Sequence, residues 1–171
     1  MTEVSLSTMW SKGKYKHMAE FIREAHKFGF TQVELNVAIT PGRLKELLEI
    51  EGLQIPSIHA PCPNGRISEG TEASTLYLSS LNEDERREAV EFAKATIELA
   101  SEVKARVVII HAGRVELDSS LYDKLRQLYR QGLGGGNEYN ETKAELVAAR
   151  SLGAYSHVGA AKESLRELAA F

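Results

Sequence analysis

The chain has 171 residues, enough for one domain with a sizeable core. Its formal net charge of −3 leaves no sequence-wide basic footprint, so a nucleic-acid partner is not expected, and no apolar run is long enough to span a membrane. A single cysteine, Cys62, rules out an internal disulfide; with an N-terminus lacking a signal peptide's apolar core, it leads to the expectation of a cytoplasmic protein.

Residues 4–8 read as a first strand. Residues 16–28 predict a helix, with Met18, Phe21, Ile22, Ala25 and Phe28 on one stripe, and Gly29 ends it. A second strand is expected at 32–36. Thr40 followed by Pro41 has the form of a helix start, cap then first-turn proline, and Leu44, Leu47 and Leu48 supply the apolar face before Gly52. The third strand is 55–59. A long loop follows over 62–81, of the kind that is often functional in compact α/β domains. Asn82 caps a strong helix whose first turn, Glu83, Asp84 and Glu85, suits the positive end of a helix dipole. Ala89, Val90, Ala93, Ile97 and Ala100 form its buried stripe, and the fourth strand, 106–111, comes directly after it. Residues 117–131 predict a helix carrying Leu121, Leu125 and Leu128, and 132–137 a glycine-rich loop. Residues 141–171 are helical in composition, with Gly153 and Gly159 expected to break or kink the helix. Short strands alternating with longer amphipathic stretches specify an α/β fold of parallel βα units.

Two strand ends carry the chemistry. Ile58-His59-Ala60-Pro61 and Ile110-His111-Ala112-Gly113 each set a histidine where an apolar run stops and a small-residue turn begins. In a parallel α/β protein this is the carboxyl rim, where such folds place their sites. Side chains alternate along a strand. With Leu6, Val33, Leu35, Ile58 and Ile110 facing the helices, the inward set is Ser5, Ser7, Glu34, Asn36, Ser57, His59, Ile109 and His111. A pocket explains so many polar groups on one rim more economically than a structural partner for each.

Neutral imidazoles bind divalent metals or hydroxyls, so His59 and His111 are the candidate metal ligands. Glu34 is the candidate catalytic residue, as a base or as the group that orients an imidazole; its plainer reading is a salt bridge across the interior. Asn36 is a candidate substrate contact. Trp10 suits stacking on a sugar or base, with packing as its plainer role. Arg114, just past His111, suits a phosphate, and solvent equally. His17, His26 and His157 read as structural. Gly134-Gly135-Gly136 lacks the preceding strand and the lysine of a phosphate loop, and Cys62 has no base near it in sequence.

At these residues the chain resembles the N-terminal half of the xylose isomerase-like TIM-barrel superfamily, which contains sugar isomerases and epimerases and endonuclease IV. Gly29-Phe30-Thr31-Gln32-Val33-Glu34-Leu35, Ile58-His59-Ala60-Pro61, Val108-Ile109-Ile110-His111-Ala112-Gly113 and the helix over 83–103 carry the resemblance. It implies a partial TIM barrel, about four strands of eight, with 1–171 as a single domain. It also implies a divalent metal (Mn, Mg, Co or Zn) in the complete barrel. In endonuclease IV-like members the histidines matching His59 and His111 are zinc ligands, and the enzyme cleaves DNA at abasic sites. In the isomerase and epimerase branch the metal ligands come from the last four strands, while the N-terminal rim shapes the sugar pocket. Val33-Glu34-Leu35-Asn36, the acidic balance and a first strand without a Gly-x-His pattern resemble the isomerase branch more.

The function this implies is metal-dependent proton transfer at a ketose or aldose, with a sugar or sugar phosphate as partner. The alternatives are a zinc-dependent abasic-site endonuclease and a non-catalytic half-barrel for binding or assembly. A flavodoxin-like binding module is the rival fold, disfavoured by the absence of a phosphate-cradling loop after the first strand. A closed barrel of this kind typically needs about 250 residues. The chain is therefore expected to bind metal weakly or not at all, to lack robust isomerase activity alone, and to form a homo-oligomer, such as a dimer, through its open sheet.

Overall fold

The computed structural model describes residues 4–65 and 75–171. Strands β1 (Ser5–Ser7), β2 (Gln32–Leu35), β3 (Gln54–His59) and β4 (Val107–Ile109) form one sheet in the order β1-β2-β3-β4, every neighbouring pair parallel. Helices α1 (Met18–Lys27), α2 (Pro41–Leu48) and α3 (Glu83–Glu102) connect them, and α4 (Ser119–Arg130) and α5 (Asn137–Ala170) follow β4. The sheet is open, with β1 and β4 as its edges, so the barrel is not closed. The expected α/β architecture of parallel βα units is the one observed. Of the long loop expected over 62–81, residues 66–74 lie outside the described residues.

Local chemistry sets the element ends. Gly29 closes α1 at φ +85°, its N–H donating to the His26 carbonyl while Phe30 N–H donates to Ala25, a Schellman turn that few residues but glycine adopt. The Thr40 hydroxyl accepts from Arg43 N–H ahead of Pro41, and the Asn82 side chain accepts from Asp84 and Glu85 N–H. The apolar stripe Met18, Phe21, Ile22 and Ala25 of α1 is buried against the outward-facing strand residues Val33, Leu35 and Ile58. Leu47 of α2 and Leu99 and Ala100 of α3 complete this core.

β3 holds the device that positions the site. Gln54 pairs with Gln32, yet Ser57 pairs with Glu34, so β3 spends three residues where β2 uses two. The extra residue falls at Ile55-Pro56, a bulge, which is where a proline is tolerated inside a central strand. Without it, strict alternation from Gln54 would send Ser57 and His59 to the helix side. With it they share the inner face with Glu34.

The C-terminal part differs from expectation in one respect. α5 runs unbroken through Gly153 and Gly159 for 34 residues and begins at Asn137, ahead of 141. An isolated glycine costs a helix about 1 kcal/mol but leaves its hydrogen-bond ladder intact. At Gly153 a Cβ would stand 2.9 Å from Val115 Cγ1, so the missing side chain is what lets the loop after β4 pack on the helix. No helix among the described residues is long and apolar enough to cross a membrane.

Candidate functional site

The inward residues meet as a staircase across three strands. Glu34 stands opposite Ser57, whose hydroxyl donates to Glu34 Oε2 at 2.9 Å. One step further along β3, His59 turns Nδ1 toward Glu34 Oε1 at 3.5 Å. His59 pairs with Ile109, and Ala60 N–H donates to the Ile109 carbonyl, so His111, two residues past Ile109, lies diagonally across from His59. The two rings stack with centroids 4.6 Å apart and an interplanar angle of 22°, and their Nε2 atoms approach to 2.6 Å.

At that distance one Nε2 must donate and the other accept. Glu34 facing His59 Nδ1 favours the proton there, which leaves His59 Nε2 as the acceptor and His111 Nε2–H as the donor. Both Glu34 and His59 side chains are about three-quarters shielded from solvent. Where β1 and β2 end, the Asn36 amide donates to Ser7 Oγ at 2.7 Å, while its Oδ1 accepts the Ala38 N–H, which fixes the amide's orientation. These groups surround a cavity of 450 Å³ lined by Ser7, Met9, Glu34, Asn36, His59 and His111 among others. That volume lies within the range of small-molecule sites.

The structure thus brings Glu34, Asn36, His59 and His111 together and leaves two candidates elsewhere. Trp10 does not line this cavity. Its ring packs with Tyr15, Phe21 and Phe28 at centroid distances of 6.0, 6.1 and 5.9 Å, with the Lys14 ammonium 4.6 Å from the ring centroid, which is the packing arrangement. Met9 takes the place at the cavity wall. Arg114 faces a second cavity, with its guanidinium 4.4 Å from the centroid of the Tyr77 ring.

His157 is structural, as expected, but in a way its position in a helix conceals. It is buried, its Nδ1 donating to the Ser79 carbonyl at 2.7 Å and its Nε2 accepting from Glu116 N–H at 3.3 Å. The Ser79–His157 contact has little signature in the sequence; the one signal is Gly153 a turn before His157, a small residue and a polar one on the same helix face. Cys62 is buried, which pushes its thiol up to about 12 and removes it as a nucleophile.

The fit to a metal can be tested on the donors. Two nitrogens bound to one tetrahedral zinc stand about 3.3 Å apart, so the His59 and His111 nitrogens at 2.6 Å are hydrogen-bonded to each other rather than spaced for an ion. Glu34 sits behind His59 as a supporting carboxylate rather than beside it. Among the described residues no group of three His, Cys, Asp or Glu side chains comes together to hold an ion. The residues present therefore do not fit a complete metal centre.

Comparison with curated proteins gave no match. A family model described as xylose isomerase-like TIM barrel matches residues 22–166, a span that contains β2, β3, β4 and the Glu34, His59 and His111 staircase. With its parallel βα order and polar carboxyl rim, the chain belongs to the xylose isomerase-like TIM-barrel family.

Proposed function

We propose that this chain carries the sugar-binding rim of a metal-dependent isomerase- or epimerase-type barrel, with 1–171 as one domain equivalent to its N-terminal half. The observation that supports this reading is the Ser57–Glu34–His59–His111 staircase opening on a cavity of sugar size. Ser7, Asn36 and His111 contact hydroxyls. Glu34 acts as a positioning carboxylate: it holds the proton on His59 Nδ1, and when a sugar hydroxyl displaces the His111 N–H from His59 Nε2, that nitrogen takes the hydroxyl proton and returns it to the former carbonyl oxygen while a hydrogen shifts between the two carbons. Two imidazoles supply at most half of a four-coordinate ligand set, so divalent metal binds weakly to this chain. The unpaired edges of β1 and β4, with Val107 half exposed on the inner face, support association into a homo-oligomer.

Titration with a ketose and an aldose tests this reading. Saturable binding lost in Glu34→Gln and in His59→Ala is expected, whereas binding that is absent or indifferent to both substitutions rejects it. A second reading rests on the convergence of the two Nε2 atoms, since the matching histidines in endonuclease IV-like members are zinc ligands. Tight zinc binding by the chain, together with cleavage of a duplex containing an abasic site, would select it.

A further inference from the structure

We infer that a second cavity on the rim is a subsite for a phosphate monoester, the dianionic group of a phosphorylated sugar; this rests on the reading of the first cavity as a sugar site. The second cavity, of 730 Å³, lies between the loop after β4, the start of α4 and the middle of α5. Arg114, Arg126 and Arg150 line it, one from each of those elements, with Ser119. Glu116 and Asp123 also line it, so three cations face two carboxylates. Asp123 reaches Arg126 only at 3.7 Å between exposed side chains, a pair of little strength that a phosphate can outcompete. Asp118 beside the cavity is committed to capping α4, its carboxylate accepting from Ser120 N–H at 2.9 Å.

The loop bearing Arg114 is fixed far more firmly than a solvent-facing turn requires. Gly113 has φ +116°, and a Cβ there would stand 2.1 Å from Ser79 Oγ, so only glycine fits. Ser79 Oγ accepts the Arg114 N–H at 2.8 Å and donates to the Arg114 carbonyl at 2.7 Å. His157 holds the Ser79 carbonyl and the Glu116 N–H from the far side, and Gly153 lets α5 approach Val115. Tyr77 supports the Arg114 guanidinium from below. A buried histidine and two sterically required glycines are accounted for if this loop must hold Arg114 in one place, since a planar guanidinium recognises phosphate only when oriented.

His111 and Arg114 are three positions apart in the chain, so at most about 10 Å of backbone links the two cavities. A small monoester suits the site better than a nucleic-acid backbone. The cations gather in one cavity rather than along a stripe, and Glu116, Asp118 and Asp123 would repel a flanking phosphate chain.

Titration of the full chain with inorganic phosphate, followed by calorimetry and by NMR, tests the proposal. Saturable binding is expected, weakened about tenfold by Arg150→Gln and by Arg126→Gln and unchanged by Arg87→Gln on the exposed face of α3. A ketose phosphate should compete with inorganic phosphate, and the free ketose should not. Absence of saturable binding, or equal binding by the Arg126 and Arg150 variants and the parent chain, overturns the subsite. A duplex oligonucleotide that binds more tightly than the ketose phosphate, with steep salt dependence, overturns it in favour of nucleic acid. Free ketose that still binds when phosphate does not leaves the sugar reading standing without this subsite. Phosphate that binds when free ketose does not removes the sugar reading and leaves only an anion site.

Discussion

The molecule holds its two parts together by different means. Residues 4–65 and 75–112 are fastened by apolar burial: Phe21, Leu35, Ile58, Leu47 and Ile39 are fully enclosed between the sheet and α1 to α3. The α4–α5 arm combines a smaller apolar contact, Leu168 against Leu78, Ala89, Val90 and Ala93, with polar latches. The buried residues of α5 include His157, Ala160, Ala161, Ser164 and Leu168, a stripe of mostly small and polar side chains. The Ser164 hydroxyl donates to the Leu78 carbonyl at 2.9 Å, and Lys94 of α3 bridges to Glu167 at 2.7 Å. On its other side the arm leaves Leu152 at 86% and Tyr155 at 90% exposure. Apolar burial gives a region its own stability. Hydrogen-bonded latches hold an element in one orientation while adding little net free energy each.

Thiol labelling gives the widest separation between intact and opened states. Burial raises the Cys62 thiol from 9.0 to about 12, so its thiolate in the folded protein at pH 8 should be about a thousandfold scarcer than in the unfolded chain. The folded state favours the protonated thiol; that contribution is complete below pH 9.0 and is lost as pH rises toward about 12. Alkylation at pH 8 should therefore be blocked until denaturant opens the first core, and rapid labelling of the native chain would show that this core is not closed.

Phe21→Ala comes next, with an expected cost of about 3–5 kcal/mol from lost burial and a cavity. Chemical denaturation should show the sheet and α1 to α3 failing together. His157→Ala should cost less, about 1–3 kcal/mol, because it leaves the Ser79 carbonyl and the Glu116 N–H without their partner. Its signature is spatial: faster amide exchange in 113–117 and α5 with β1 to β3 unchanged. Uniform acceleration across the sheet would mean that the two parts are not independently fastened. Smallest is Asn82→Ala, which removes the cap of α3 for about 1 kcal/mol and should appear as fraying of its first turn in hydrogen exchange.

The same difference explains what was legible in the sequence. Where burial is apolar, periodicity carries the information: the α1 stripe, the Thr40-Pro41 and Asn82 starts, and the alternation that places Glu34, Ser57, His59 and His111 on one face all follow from residue spacing. Alternation reached the right parity at the end of β3, while the bulge that produces it was signalled only by Pro56 in a central strand. Where attachment is polar, spacing is silent. Nothing in the apolar pattern tells that His157 meets Ser79 across 78 residues, nor that Gly153 is a contact point rather than a break. Trp10 shows spacing leaving two readings open: an aromatic residue beside the rim suits a ligand or packing, and in the structure its ring lies against Tyr15, Phe21 and Phe28.

If Glu34, His59 and His111 act as one sugar-facing site, the two imidazole rings must sense a bound sugar together. Long-range proton–nitrogen NMR resolves the five histidines of the chain during titration with a ketose. His59 and His111 should respond together along a single saturation curve that Glu34→Gln abolishes, while His17, His26 and His157 stay unchanged. Rings of His59 and His111 that follow different curves, or that do not respond at all, would contradict it.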